Sequence, residues 1–202
     1  MCNIYAKNMS IWVGAVKIVK EEEKMATWNS RGLRGSTLED MINFTNEIYQ
    51  ERGLALVQKI PTPIKPIKID KEKRHITLAY FEQKSTVDYI GAVQGYPICF
   101  DAKECGTDTF PLQNIHAHQI EFMKRYEEQG GISFMILYFT GRNEFYYLRF
   151  LELMKYWKRI EEKQPKNFKY QELDPRFFIS SKQGVHLHYL ETLNRDLSLR
   201  EE

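Results

Sequence analysis

An apolar strand that ends in charge constrains this chain more than any other feature. Tyr96-Pro97-Ile98-Cys99-Phe100 reads as buried β-structure, and Asp101-Ala102-Lys103 follows without a break. Residues two apart on a strand share a face, so the Asp101 carboxylate and the Lys103 ammonium project the same way. Residues 88–93 form a second strand, joined to the first by a turn at Gln94 and Gly95, where glycine supplies the permissive backbone. That hairpin brings Asp88 beside Asp101, so two carboxylates and one ammonium converge where a buried strand turns polar.

Carboxylate oxygens are hard ligands suited to Mg²⁺, a lysine can place or activate a water, and positive charge stabilises a developing phosphorane. These are the groups needed for metal-assisted, in-line hydrolysis of a phosphodiester. The same spacing also fits a surface ion pair on a strand, worth roughly 0–1 kcal/mol. Acidic-x-Lys recurs at Glu22-Glu23-Lys24, Glu82-Gln83-Lys84 and Glu161-Glu162-Lys163, but only the copy at Asp101 ends an apolar strand.

Around this hairpin the pattern alternates helix and strand. Ser36 with Glu39 is a capping box, and Leu38, Met41, Ile42, Thr45, Ile48 and Tyr49 recur at helical spacing until Gly53. A strand is expected at residues 54–60. Pro61, Pro63 and Pro66 then argue against ladder pairing and for an extended arm, with strand resuming near residues 76–81. A helix over residues 114–129 closes at Gly130 and Gly131, strands follow at 132–139 and 144–148, and a helix at 150–162 completes the core. The expected class is α+β, a mixed α/β plan with a central mixed sheet covered by helices.

With 202 residues, 43% of them hydrophobic, the chain can bury a full core, and wholesale disorder is excluded. Three cysteines, Cys2, Cys99 and Cys105, are too few for a disulfide framework and favour a reducing cytoplasm. The apolar run at residues 9–19 falls short of the roughly 20 a spanning helix needs, so no membrane segment or signal peptide is expected. Residues 1–27 read as a weakly ordered N-terminal arm, with Met25 an alternative start.

Charge balances to +2 overall, so affinity for nucleic acid must come from local clustering. Residues 59–74 hold six basic side chains (Lys59, Lys65, Lys68, Lys71, Lys73 and Arg74) against two acidic ones, a local +4 on the proline-stiffened arm. Such an arm can follow DNA phosphates, or it can be a solvated loop. Arg31 and Arg34, between glycines, form a second basic site. His116 with His118 and His186 with His188 are H-x-H pairs, but alternate residues on a helix do not share a face and no Cys-x-x-Cys accompanies them, which argues against zinc.

Read in order, Asn29-Ser30-Arg31-Gly32, Lys59-Ile60-Pro61-Thr62-Pro63-Ile64, Ser85-Thr86-Val87-Asp88-Tyr89, Asp101-Ala102-Lys103-Glu104 and Phe110-Pro111-Leu112-Gln113-Asn114-Ile115-His116 closely resemble the RecU family of Holliday-junction resolvases. The likeness continues through His118-Gln119-Ile120-Glu121 and Gln129-Gly130-Gly131 and spans residues 28–157. It implies a restriction-endonuclease-like nuclease core at residues 28–163, with a protruding basic stalk at about 61–80 and a C-terminal extension at 164–202. It further implies a cytoplasmic homodimer that nicks four-way junction DNA in pairs, dependent on Mg²⁺ with Mn²⁺ as a substitute, in recombination, repair and chromosome segregation. The strand-exchange recombinase and the branch-migration helicase are its implied partners.

By the family pattern, Thr86, Asp88, Asp101 and Gln119 contribute to the metal site, Lys103 stabilises the transition state, and Lys65, Lys68, Lys71, Lys73, Arg74, Arg31 and Arg34 meet DNA. The sequence departs from the pattern at Asp101, where Glu is usual, and the connection from there to Phe110 is one residue short. Two alternatives stand beside the resolvase reading: a related metal nuclease for other branched DNA, and a catalytically weak DNA-binding regulator of the recombinase.

Overall fold

The hairpin anticipated around Gln94 and Gly95 lies inside a six-stranded sheet. A computed structural model describes residues 37–81, 86–182 and 184–200; the N-terminal arm, Ser36 of the expected capping box, and Arg31 and Arg34 lie outside the described residues. In chain order the sheet strands are β1 (Leu56–Lys59), β4 (Tyr89–Val93), β5 (Tyr96–Cys105), β7 (Ile132–Phe139), β8 (Glu144–Arg149) and β10 (Phe178–Ile179), arranged in that same spatial order. Neighbours are antiparallel except β5 and β7, which run parallel. The β4–β5 turn has Gln94 at φ 48° and Gly95 at φ 96°. Positive φ at both central residues matches the twist of the flanking strands.

Four α-helices accompany the sheet among the described residues: α1 (Thr37–Glu51), α2 (Ala117–Glu128), α3 (Phe150–Glu161) and α4 (Tyr189–Arg200). The parallel β5–β7 step needs a crossover, and α2 provides it. On one face, Tyr89, Phe100, Phe134 and Tyr147 stack across four strands with ring centroids 4.8, 4.7 and 4.3 Å apart. Such pairs add about 0.5–1.5 kcal/mol each beyond their burial. Tyr189 of α4 packs on Phe100 at 5.4 Å and on Tyr49 of α1 at 5.1 Å, so α1 and α4 cover this face. Residues one position along the strands face α2 and α3: Ser133 Oγ donates to Met123 O at 3.0 Å, and Tyr146 Oη donates to Glu152 at 2.9 Å. Helices on both faces explain why residues 132–139 are almost wholly apolar and, but for Tyr138, buried.

Two local expectations change. The prolines do not prevent pairing: β2 (Ile64–Asp70) and β3 (His75–Phe81) form a separate antiparallel ribbon, with Pro66 opposite Ala79 and the register shifting on either side of Lys68, while β6 (Thr109–Pro111) and β9 (Asn167–Lys169) form another. In a two-stranded ribbon both strands are edges, so a missing N–H can face outward, and a bulge absorbs the misfit. The segment after residue 163 also enters the core. β10 adds a strand beside β8, Tyr189, Leu190 and Leu193 are buried, and Tyr147 Oη donates to Asp196 Oδ2 at 3.1 Å. Its apolar residues are short and scattered, which hides their destination in the sequence.

Candidate active site

Tyr89 pairs with Phe100, so Asp88, just ahead of β4, stands across from Asp101 on β5. Asp88 Oδ2 accepts the Ala102 backbone N–H at 2.9 Å, tying the first acid to the strand that carries the second. Asp101 is fully buried, and one of its oxygens, Oδ2, forms an ion pair with Lys103 Nζ. The surface-pair alternative is therefore excluded: an exposed pair would leave its carboxylate in water. Lys103 keeps about a quarter of its side chain exposed and so points from the buried acid toward solvent.

The other Asp101 oxygen, Oδ1, accepts from Gln119 Nε2 at 2.7 Å. Gln119 sits in the first turn of α2, and its Oε1 accepts the His116 backbone N–H at 3.0 Å, satisfying one of the unpaired donors that open a helix. The Lys103 contact departs from hydrogen-bond geometry, leaving Oδ2 buried without an aligned donor. Burial pushes the Asp101 carboxyl up to about 7; Lys103 opposes the rise and Asp88 adds to it. Two carboxylates and an ammonium form a group set able to take a hard divalent cation next to a phosphate.

Thr86 is half-buried two residues ahead of Asp88 and forms no hydrogen bond to the cluster among the described residues. Glu39 of α1 pairs with Lys59 at 2.8 Å. Glu104 escapes sequence reasoning: its Oε1 accepts the Leu38 N–H at 2.9 Å and so anchors the start of α1 to β5. Only its place next to Lys103 could have hinted at this. In the H-x-H pairs, His188 Nδ1 meets Tyr49 Oη at 2.9 Å and the rings of His116 and His118 stack with centroids 5.3 Å apart; no group of three or more His, Cys, Asp or Glu placed to hold a metal occurs among the described residues.

Lys65, Lys68, Lys71, Lys73 and Arg74 are all exposed on the β2–β3 ribbon, and no ion pair holds them among the described residues. Asp70 Oδ1 accepts from the backbone N–H groups of Glu72 and Lys73 at 3.0 Å each, which stiffens the tip. The ribbon also exposes Ile67, Ile69, Leu78, Tyr80 and Phe81. A tally of charge in the sequence overlooks this apolar component.

The sheet and the cluster at its rim define a mixed α/β protein with a carboxylate–lysine centre. The family model described as Recombination protein U matches residues 33–195. A Holliday junction resolvase RecU of Geobacillus kaustophilus is 46% identical over 145 residues, 70% of this chain and 72% of that one. The Holliday junction resolvase RecU of Leuconostoc mesenteroides is 43% identical over 171 residues, covering 82% and 83%. The solved Archaeoglobus fulgidus Hjc, a Holliday junction resolvase, is 8% identical with a TM-score of 0.31 over 55% of this chain and 74% of that one, too slight a likeness to argue from. The chain belongs to the RecU family, and the match extends well into the C-terminal segment that completes the core.

Proposed function

We propose that this chain is a metal-dependent endonuclease that resolves four-way DNA (Holliday) junctions by paired nicking, in homologous recombination, repair and chromosome segregation. Its relatives carry the name Holliday junction resolvase. The observation that carries the chemistry is the fully buried Asp101 paired with Lys103 and faced by Asp88 at the rim of a helix-covered sheet. The core reads as restriction-endonuclease-like.

The residues fit a hard divalent cation, because Asp101 Oδ2 is a buried carboxylate oxygen without an aligned donor and Asp88 supplies a second carboxylate. Asp88 and Asp101 would hold Mg²⁺, or Mn²⁺ in its place, with Thr86 and Gln119 contributing as the family pattern implies. When bound, such an ion polarises the phosphate and lowers the pKa of a water. Lys103 reaches the solvent edge of the cluster, where its ammonium meets the charge that builds on the attacked phosphate.

Selectivity belongs to the ribbon. Its five exposed cations suit the converging phosphates of a junction, and exposed Tyr80 and Phe81 offer flat faces to bases unstacked at the branch point. Two strands must be cut symmetrically and each chain carries one such cluster among the described residues, so the active form is a twofold homodimer. No helix among the described residues is long and apolar enough to cross a membrane. The test is a four-way junction labelled on each strand in turn and incubated with the protein and Mg²⁺. Symmetric nicks in two opposing strands support the reading, and four intact strands refute it.

A further inference from the structure

Two basic clusters of equal charge are rooted on opposite sides of β5, the strand that carries Asp101 and Lys103. One is the ribbon arm. The other spans residues 155–169, where six basic side chains (Lys155, Lys158, Arg159, Lys163, Lys166 and Lys169) stand against Glu161 and Glu162, again a local +4 in a chain of +2. Arg159 is taken up by Glu172 and by the Asn167 carbonyl, which accepts at 2.9 Å, and Lys169 shares the field of Glu172. The other four lysines are exposed: Lys155 and Lys158, three apart on one face of α3, and Lys163 and Lys166 on the segment between α3 and β9. Among the described residues the ion-paired lysines are Lys59, Lys103 and Lys182, and none of these four.

The backbone beneath them is firmly held. Lys166 O accepts the Leu112 N–H at 3.0 Å, β9 pairs with β6, and Phe168 stacks on Phe110 at 5.1 Å and on Tyr156 at 4.3 Å. Leu112 opens the turn that leads into α2, and α2 reaches Asp101 through Gln119. The ribbon instead leaves β1 and returns into β4, whose first residue, Tyr89, lies next to Asp88. Lys163 stands just past the end of α3 at φ 57°, a left-handed position where glycine costs least. Arg74, at the tip of the ribbon, has φ 53°. A long cation thus occupies a costly backbone conformation in each cluster, and such strain collects where side chains serve function. Lys158 and Arg159 already meet the dipole in the last turn of α3, so the dipole does not call for Lys163.

We propose that Lys155, Lys158, Lys163 and Lys166 form a second DNA contact, which takes the sugar–phosphate backbone of a duplex arm while the ribbon takes the branch point. This rests on the junction-nuclease reading above. Lysines meet phosphates as point charges and read no base. The two clusters therefore differ in what they sense: the ribbon responds to shape, and this surface holds any duplex.

The test measures binding to a four-way junction and to a linear duplex across a salt series, in EDTA so that no strand is cut. The variant combines Lys155→Ala, Lys158→Ala, Lys163→Gly and Lys166→Ala. Its affinity for both DNAs is expected to fall several-fold by the same factor, with the log-log salt slope flatter by about 0.9 for each lost contact to duplex phosphate. The ratio of junction to duplex affinity is expected to stay at the wild-type value. Lys163→Gly alone is expected to keep or raise the urea midpoint while weakening duplex binding, which a lysine held for packing would not do.

Wild-type duplex affinity and slope in the combined variant, or a loss confined to the junction, would overturn the inference, as would a lower urea midpoint for Lys163→Gly with duplex binding unchanged. Should the combined variant not fold, Lys158→Glu and Lys166→Glu are tested singly, and each is expected to weaken duplex binding; wild-type binding in both would overturn the inference. A wild type that binds both DNAs, a variant that loses duplex affinity, and no nicking by either in Mg²⁺ would end the nuclease reading and leave this contact standing.

Discussion

The carboxylate of Asp88 accepts the backbone N–H of Ala102, the residue between Asp101 and Lys103, at 2.9 Å. The two acids are thus registered by a side-chain-to-backbone bond as well as by the β4–β5 ladder. This geometry separates chemistry from folding. An Asn at position 88 can still accept from Ala102 through its amide oxygen while losing the charge a cation needs. Asp88→Asn and Lys103→Ala are therefore expected to lower junction nicking by about 100-fold or more, the scale of removing one electrostatic contact from a transition state, with junction affinity nearly unchanged. Nicking and gel-shift assays on the same preparations check this, and wild-type nicking in either variant would remove the assignment.

The buried Asp101 carboxyl makes stability depend on pH in metal-free protein. Its folded pKa, about 7, lies above the ordinary aspartate value of 3.8. The folded state therefore keeps this proton when the unfolded chain has released it, and the contribution to stability is full below pH 3.8 and is lost as pH rises through about 7. In EDTA, the melting temperature of the wild type is expected to fall relative to Asp101→Asn across that window. Mg²⁺, by compensating the ionised carboxylate, is expected to reduce the difference at pH 7 and above. A difference that stays flat with pH in EDTA would contradict the burial argument.

Much of this is legible in the amino-acid sequence. The β4–β5 hairpin, the acids that face each other and the Asp101–Lys103 pair all follow from period-two spacing and one Gln-Gly turn, signals that act over a few residues. What could not be read depends on distant partners. Pro66 argued against a ladder, yet in a ribbon with two free edges its missing N–H does no harm. Tyr189 and Leu193 lie in a polar-looking helix whose buried stripe is short, and only the packing of Tyr189 on Phe100 and Tyr49 shows why the chain needs it. Glu104 reads as the charged end of a motif, while its contact is a helix start 66 residues away.

That packing makes a direct prediction about the C-terminal segment. Tyr189 is fully buried, and its hydroxyl donates to Asn46 Oδ1 at 2.6 Å. Tyr189→Ala removes an aromatic body from the core and leaves the buried Asn46 carbonyl without its donor. A destabilisation of about 3–5 kcal/mol is expected, measured by urea unfolding. A loss below about 1 kcal/mol would mean that this helix is an appendage.

The ribbon is expected to govern binding and not the chemical step. Replacing Lys68, Lys71, Lys73 and Arg74 by Ala should weaken junction binding and flatten its dependence on salt, by about 0.9 in log-log slope for each lost contact to duplex phosphate. At saturating protein the nicking rate should remain near that of the wild type. Binding titrations across a salt series, with single-turnover nicking alongside, test both parts. Unchanged affinity and slope would make the ribbon an inert loop.

The central claim is selectivity for a branched substrate joined to metal-dependent cleavage. It is tested most directly by initial nicking rates on a four-way junction, a linear duplex and a flap of matched sequence, in one buffer with Mg²⁺ and with EDTA. The account predicts rapid paired nicking of the junction, slow cutting of the other two, and none in EDTA. Equal rates on all three substrates, or cleavage that survives EDTA, would contradict it.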